Sequence, residues 1–193
     1  MTEDAELVAR IRSNDLAAFE ELYHKYKRPL FHTALAIAGD HGAAEEVLQD
    51  CFVRAYGAVD RVDATIPLSP WLHRIVVNLA CNAATRNRQW PLALDTLIDR
   101  LVAGPAASPE SAAQDGELRE ILGEAVAALS LKHRLVIILY YYQGFSLQEI
   151  AYILTCPVGT VKSRLNRACV ALRHSLGADR RLKGEVAYAV SWK

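Results

Sequence analysis

The 193-residue sequence has no apolar run near the roughly 18 residues that a membrane helix needs, so no membrane insertion is expected. Its start, MTEDAELVARIRSND, is acidic and lacks the basic opening and apolar stretch of a secretory signal. A cytoplasmic protein is the expectation. Four cysteines (Cys51, Cys81, Cys156 and Cys169) stand singly, with no CxxC pair and no histidine at metal-ligand spacing. That argues against a disulfide or zinc framework and favours buried reduced thiols. The histidines His24, His32, His41, His73, His133 and His174 fall on separate segments. No Ser/His/Asp or Cys/His grouping and no phosphate-binding glycine loop can be assembled. No cofactor, no metal and no enzymatic activity are expected.

Net charge is also missing, since 22 basic groups balance 22 acidic ones. The zero hides an asymmetry. Residues 1–90 carry 10 basic and 12 acidic side chains, and 91–115 carry 1 and 4. Residues 116–178 carry 7 and 4, and 179–193 carry 4 and 2. The positive excess lies in the C-terminal half, where an anionic partner would be sought.

Strand signals are nearly absent and helical periodicity dominates. Asp15 is a good N-cap, followed by an apolar stripe of Leu16, Phe19, Leu22, Tyr23, Tyr26 and Leu30. Pro29 is expected to bend that helix. Gly39 to Gly42 reads as a turn, and the next helix gathers Ala44, Leu48, Cys51, Phe52 and Ala55 on one side. A loop from Asp60 ends at Ser69-Pro70, read as N-cap and first helical position. The helix that follows, Trp71 to Arg88, is expected to bury Trp71, Leu72, Ile75, Val76, Leu79 and Ala83. Small residues and prolines mark 91–115 as a flexible linker. The predicted fold is all-α, with two helical domains, 1–90 and 116–178, and a tail at 179–193.

The second domain holds the most informative stretch, GFSLQEIAYILTCPVGTVKSRLNRA. Ser146 and Glu149 have the spacing of a capping box. Leu147, Ile150, Ala151 and Leu154 supply an apolar face, Thr155-Cys156-Pro157 ends the helix, and Gly159 is expected to ease the turn. A second helix then buries Val161, Leu165, Ala168 and Leu172. Two short helices joined by a tight turn form helix-turn-helix geometry. The outward face carries Thr160, Ser163, Asn166 and Arg167, flanked by Lys162 and Arg164. Such groups hydrogen-bond base edges and phosphates in a major groove, and the capping, turn and division of faces favour DNA over a plain solvated surface.

At these residues a family is apparent. The stretch from Gly144 to Arg173 resembles region 4 of bacterial extracytoplasmic-function (ECF) sigma factors, and LSLKHRLVIILYYYQG is similar to that region's leading helix. FEELYHKYKRPLFHTALAIAGD, AAEEVLQDCFVRAY and SPWLHRIVVNLACNAATRNR resemble the opening, polymerase-binding and promoter-melting helices of region 2. The likeness covers about residues 14–90 and 116–176, with both regions in the right order.

The resemblance implies that Glu45, Glu46, Gln49, Asp50 and Arg54 dock on the clamp helices of the polymerase largest subunit. From the residues alone that acidic face reads better as a solubilising surface. It further implies that Arg74, Asn78, Asn82, Thr85, Arg86 and Arg88 track a melted strand at the downstream promoter element. The Asp60–Ser69 loop would hold a flipped base, and Ile66-Pro67-Leu68 departs from the family's more polar run there. Thr160, Lys162, Ser163, Arg164, Asn166 and Arg167 would read the upstream element. Core RNA polymerase, including the flap of its second-largest subunit, promoter DNA and an anti-sigma factor are the implied partners. An autonomous helix-turn-helix regulator, or a sigma-like decoy for an anti-sigma factor, are the competing readings.

Overall fold

The computed structural model describes residues 3–62, 67–86 and 121–178, and of Arg86 the backbone alone. The linker 91–115, the tail 179–193, Arg88 and residues 63–66 of the loop lie outside the described residues. Every regular element among the described residues is helical, as the periodicity predicts, and these residues form two compact units.

The first unit contains α1 (Glu3–Arg12), α2 (Leu16–Ala38), α3 (His41–Ala58) and α4 (Leu68–Arg86), with a 3-10 turn at Val59–Arg61. α2 is central and packs on the other three helices. Asp15 caps it, its carboxylate accepting the Ala18 amide at 3.2 Å. Gly39 closes it at φ 75°, the left-handed conformation that a glycine adopts without a Cβ clash. Asp40 then caps α3 through the Ala43 amide at 2.8 Å. Gly42 therefore belongs to α3, and the turn is shorter than the sequence suggests. α2 continues through Pro29, and Thr33 Oγ1 donates to the Pro29 carbonyl at 2.9 Å.

The buried face of α2 is Ala18, Leu22, Tyr26, Leu30, Ala34 and Ile37, whereas Leu16 is 68% exposed. Phe19 and Tyr23 sit at the edge of that face; Phe19 packs edge-on against Phe52 and Tyr56 of α3, and Tyr23 packs at a tilt on Phe52. On α3 the buried set includes Val47, and Leu48 is only half-buried. Cys51 lies under α4, its thiol directed at the Leu72 carbonyl 3.9 Å away, and burial pushes its pKa up to about 12. α4 buries Leu72, Val76, Val77, Leu79 and Ala80, while Ile75, Ala83 and Trp71 are half-buried. Each fully buried leucine or isoleucine in this core is worth about 1.5–3 kcal/mol.

Two features of this unit depart from expectation. α4 starts at Leu68, so Ser69 and Pro70 lie within its first turn, where a missing N–H costs nothing. The acidic start of the chain is itself a helix, α1. Leu7, Val8 and Ile11 are buried, Tyr26 donates to Asp4 at 2.7 Å, and Lys25 pairs with Glu3 and Asp4. Arg12 donates to the Val59 and Val62 carbonyls at 3.2 and 2.6 Å, tying α1 to the far end of α3.

The second unit contains helical residues 121–128 (α5), α6 (Leu131–Ile137), a π-helical turn at Ile138–Tyr142, α7 (Leu147–Ile153) as far as Ala151, and α8 (Val158–Ala178); Tyr152–Thr155, which complete α7 and its turn, group with the first unit. α6 packs on α8. The core is Leu122, Val126, Val136, Ile137, Ile138, Leu139, Ile150, Ile153, Val161, Ala168 and Leu172. Leu147, Ala151, Leu154 and Leu165, expected in it, are half-buried, and Ile153 does the work assigned to Leu154. Arg134 is buried as well, donating to the Leu129 carbonyl at 3.0 Å, and desolvation lowers its pKa to about 10. It stays cationic at neutral pH. Of the four thiols, Cys51 and Cys169 are buried, but Cys81 and Cys156 are half-exposed; all four are reduced.

Candidate nucleic-acid interface

α7 and α8 meet through a turn whose geometry begins at Ser146. Its amide donates to Glu149 Oε2 at 2.8 Å, and the Glu149 amide donates back to Ser146 Oγ at 3.3 Å, completing the capping box. The chain reverses at Thr155, which adopts φ 49°. Gly159, expected to ease this turn, lies inside α8 and has open space around its Cα, so it carries no conformational role. Pro157 precedes α8 and its carbonyl accepts from the Thr160 and Val161 amides.

α8 divides its faces as the sequence predicts. Val161, Ala168, Cys169, Leu172 and Leu176 point inward. Lys162, Ser163, Asn166 and Arg167 are exposed, and Thr160 and Arg164 are half-buried at the edges. Ser163 Oγ donates to the Thr160 carbonyl at 3.0 Å, which leaves its lone pairs outward as acceptors. None of Lys162, Arg164 and Arg167 forms an ion pair among the described residues. The helix thus presents uncompensated donors to solvent, suited to an anionic, hydrogen-bonding surface.

In the first unit, α3 exposes Glu45, Glu46, Gln49, Asp50 and Arg54 together, opposite buried Ala44, Val47, Cys51 and Ala55. His41 Nδ1 lies 3.5 Å from Glu45 Oε1 at one end of this face. One member was not foreseen: Val53, 72% exposed amid the charges. Its signal was present, because Val53 falls off the Phe52–Ala55 side at helical spacing.

α4 exposes Asn78, Asn82 and Thr85, while Arg74 is half-buried. Thr85 Oγ1 donates to the Asn82 carbonyl at 2.9 Å. The side chain of Arg86, like Arg88, lies outside the description. The structure brings two separately predicted faces to one groove, where Glu46, Asp50 and Arg54 of α3 face Asn82 of α4. Linear spacing could not show this, because it depends on how α3 and α4 cross.

One polar group of α4 is buried. His73 is 1% exposed, with Nδ1 2.8 Å from the Ser69 carbonyl, and burial lowers its pKa to about 4. It is neutral at physiological pH and braces the first turn of α4. Among the described residues no cluster of histidine, cysteine and carboxylate side chains could hold a metal, and no helix is long and apolar enough to cross a membrane.

Comparison with known proteins gives this arrangement a family. Residues 22–90 match Sigma-70 region 2, and residues 119–172 match Sigma-70, region 4. The ECF RNA polymerase sigma factor SigW of Bacillus subtilis is 32% identical over 181 residues, which are 88% of this chain and 94% of that protein. The ECF RNA polymerase sigma-E factor of Escherichia coli K12 is 33% identical over 181 residues, 88% of this chain and 92% of its own. Among solved structures, CnrH in complex with the cytosolic domain of CnrY superposes with a TM-score of 0.67 at 26% identity, covering 91% of this chain and 98% of that one. The sigma factor RpoE of Bartonella quintana, solved with the anti-sigma factor NepR, gives 0.59 at 26% identity over 84% of this chain and 98% of that one. With both regions matched in order and relatives aligned over nearly their whole length, the chain belongs to the ECF sigma factors of the sigma-70 family, which recognise promoters for bacterial RNA polymerase.

Proposed function

We propose that this sigma factor divides its work between three surfaces. The face of α3 formed by Glu45, Glu46, Gln49, Asp50 and Arg54 docks on the clamp helices of the polymerase largest subunit. Asn78, Asn82 and Thr85 of α4, with Arg74, Arg86 and Arg88, follow one strand at the downstream element as it opens. Thr160, Lys162, Ser163, Arg164, Asn166 and Arg167 read the upstream element in the major groove. The second unit also meets the flap of the second-largest subunit.

The observation that carries this reading is the segregation on α8. Lys162, Ser163, Asn166 and Arg167 all stand exposed opposite a fully apolar face, with no carboxylate paired to the cations among the described residues. A decoy that only occupies another protein has no need of such donors. The acidic α3 face supports the polymerase assignment, since carboxylates repel DNA and suit a basic protein surface.

Residues 1–90 and 116–178 act as the two functional domains, and 91–115 tethers them. Fully extended, those 25 residues reach about 80–90 Å. Two groove sites a couple of helical turns apart need about 70 Å, so one chain holds both elements and each contact raises the effective concentration of the other. The chain supplies specificity and strand opening in the cytoplasm, while bond formation belongs to the polymerase; it has no catalytic activity of its own. An anti-sigma factor is a further partner, a reading supported by the RpoE–NepR complex.

The test is transcription in vitro with core polymerase and the purified chain. Initiation from a defined set of promoters, absent with core alone, is expected. Binding of the chain to DNA as a symmetric dimer, with no effect on core polymerase, would refute it in favour of an autonomous regulator.

A further inference from the structure

The positive charge of the second unit does not lie on α8 alone. α6 packs against α8 and carries Lys132 and His133 at its start. Lys132 is exposed and His133 half-exposed, with its Nε2 covered and without a hydrogen-bond partner. Arg164 and Arg167, one half-buried and one exposed, stand on the helix that α6 packs against, near enough for their charges to act on His133. No carboxylate forms an ion pair with any of the three fixed cations among the described residues. Glu149, a carboxylate of this unit, is engaged by Ser146.

We propose that Lys132, His133, Arg164 and Arg167 form one site for a backbone phosphodiester of the promoter duplex, so that the leading helix grips DNA together with the reading helix. The proposal rests on the reading of α8 as a DNA-contacting helix and adds a second element to it. Three cations beside an imidazole, with no carboxylate ion-paired to them among the described residues, repel one another, and a phosphate between them removes that repulsion. Arginines suit it because their forked donors match phosphate oxygens. Phosphate contacts fix register without reading sequence, and the site would set the angle at which Ser163 and Asn166 meet the base edges.

The imidazole makes the site responsive to pH. Burial first, then the charges of Lys132, Arg167 and Arg164, hold the His133 pKa below its ordinary 6.5. A bound phosphate offsets the three charges and raises the pKa toward its ordinary value. DNA binding therefore takes up protons at mildly acidic pH, and affinity rises as pH falls from about 7.5 toward 5.5, up to about tenfold for each unit of pKa that the anion restores.

The experiment measures binding of the full chain to a duplex from a promoter at which it initiates with core polymerase. Affinity is followed against salt at fixed pH, then against pH at fixed salt. Lys132→Ala should lower the salt slope by about one counterion. His133→Gln should flatten the pH profile and abolish proton uptake in calorimetry. Lys132 is exposed, so its variant keeps the test valid should His133→Gln unfold. An unchanged salt slope in Lys132→Ala, or an unchanged pH profile in folded His133→Gln, overturns the proposal. If Arg167→Ala also leaves affinity intact, the DNA reading of α8 falls as well; if Arg167→Ala alone weakens binding, only the shared phosphate site is lost.

Discussion

The amides and side chains of Ser146 and Glu149 satisfy each other across the first turn of α7. The Ser146 amide reaches Glu149 Oε2 at 2.8 Å, and Ser146 Oγ, 2.7 Å from the same carboxylate oxygen, accepts the Glu149 amide at 3.3 Å. α7 is only seven residues long, so its ends weigh heavily in whether it forms. Ser146→Ala should destabilise the C-terminal unit by about 1 kcal/mol, with a melting point lower by roughly 5 °C in calorimetry. An unshifted melting point would show the cap to be redundant.

His73 predicts a pH dependence of the N-terminal unit. In the folded protein its pKa is about 4 against an ordinary 6.5. As pH falls below 6.5 the unfolded chain binds a proton that the folded chain refuses until about pH 4. Its contribution is thus fully present above 6.5 and is lost progressively down to 4. Urea titrations should give a stability lower by about 2 kcal/mol at pH 5 than at pH 7 from this group. The same comparison on His73→Gln should show that part of the slope gone; an identical slope would assign the acid sensitivity elsewhere.

The proposed division of labour separates two substitutions. Arg167→Ala should weaken binding to the upstream element about tenfold while core polymerase binding stays unchanged. Glu46→Lys with Asp50→Lys should do the reverse, abolishing association with core in a pull-down and sparing duplex binding. Equal loss of both activities in both variants would contradict separate surfaces.

Arg12 ties two distant parts of the first unit, through the Val59 and Val62 carbonyls. Arg12→Ala should raise amide exchange at Val62, which donates to Val59 O at 3.2 Å, severalfold, with little change in the α2–α4 core. Uniform acceleration throughout the unit would mean that α1 is integral to global stability.

Much of this was legible in the sequence because it is local. Asp15, Ser146 and Glu149 announce helix starts through groups within three residues of each other, and the α8 face follows from a fixed periodicity. What depends on packing was not legible. Leu48 and Val47 differ by one position, and only the approach of α2 and α4 selects Val47 for the core. α1 hides behind its carboxylates, which are spent on Lys25 and Tyr26, residues some twenty positions away. The π-helical turn at Ile138–Tyr142 lets three consecutive tyrosines occupy a helix end without a periodic signature. Likewise the groove shared by Asp50 and Asn82 exists only once α3 and α4 have crossed.

Thr155 illustrates how stability and aim can be separate properties. A β-branched residue at φ 49° sits where a glycine would rest more easily, a strain on the order of 1–3 kcal/mol. Thr155→Gly should therefore melt higher yet bind promoter DNA less tightly, because the hinge ahead of α8 gains freedom; a gain in both would refute this. A more robust protein would then be a poorer reader, its pointing finger steadied by the very tension that a stabilising substitution removes.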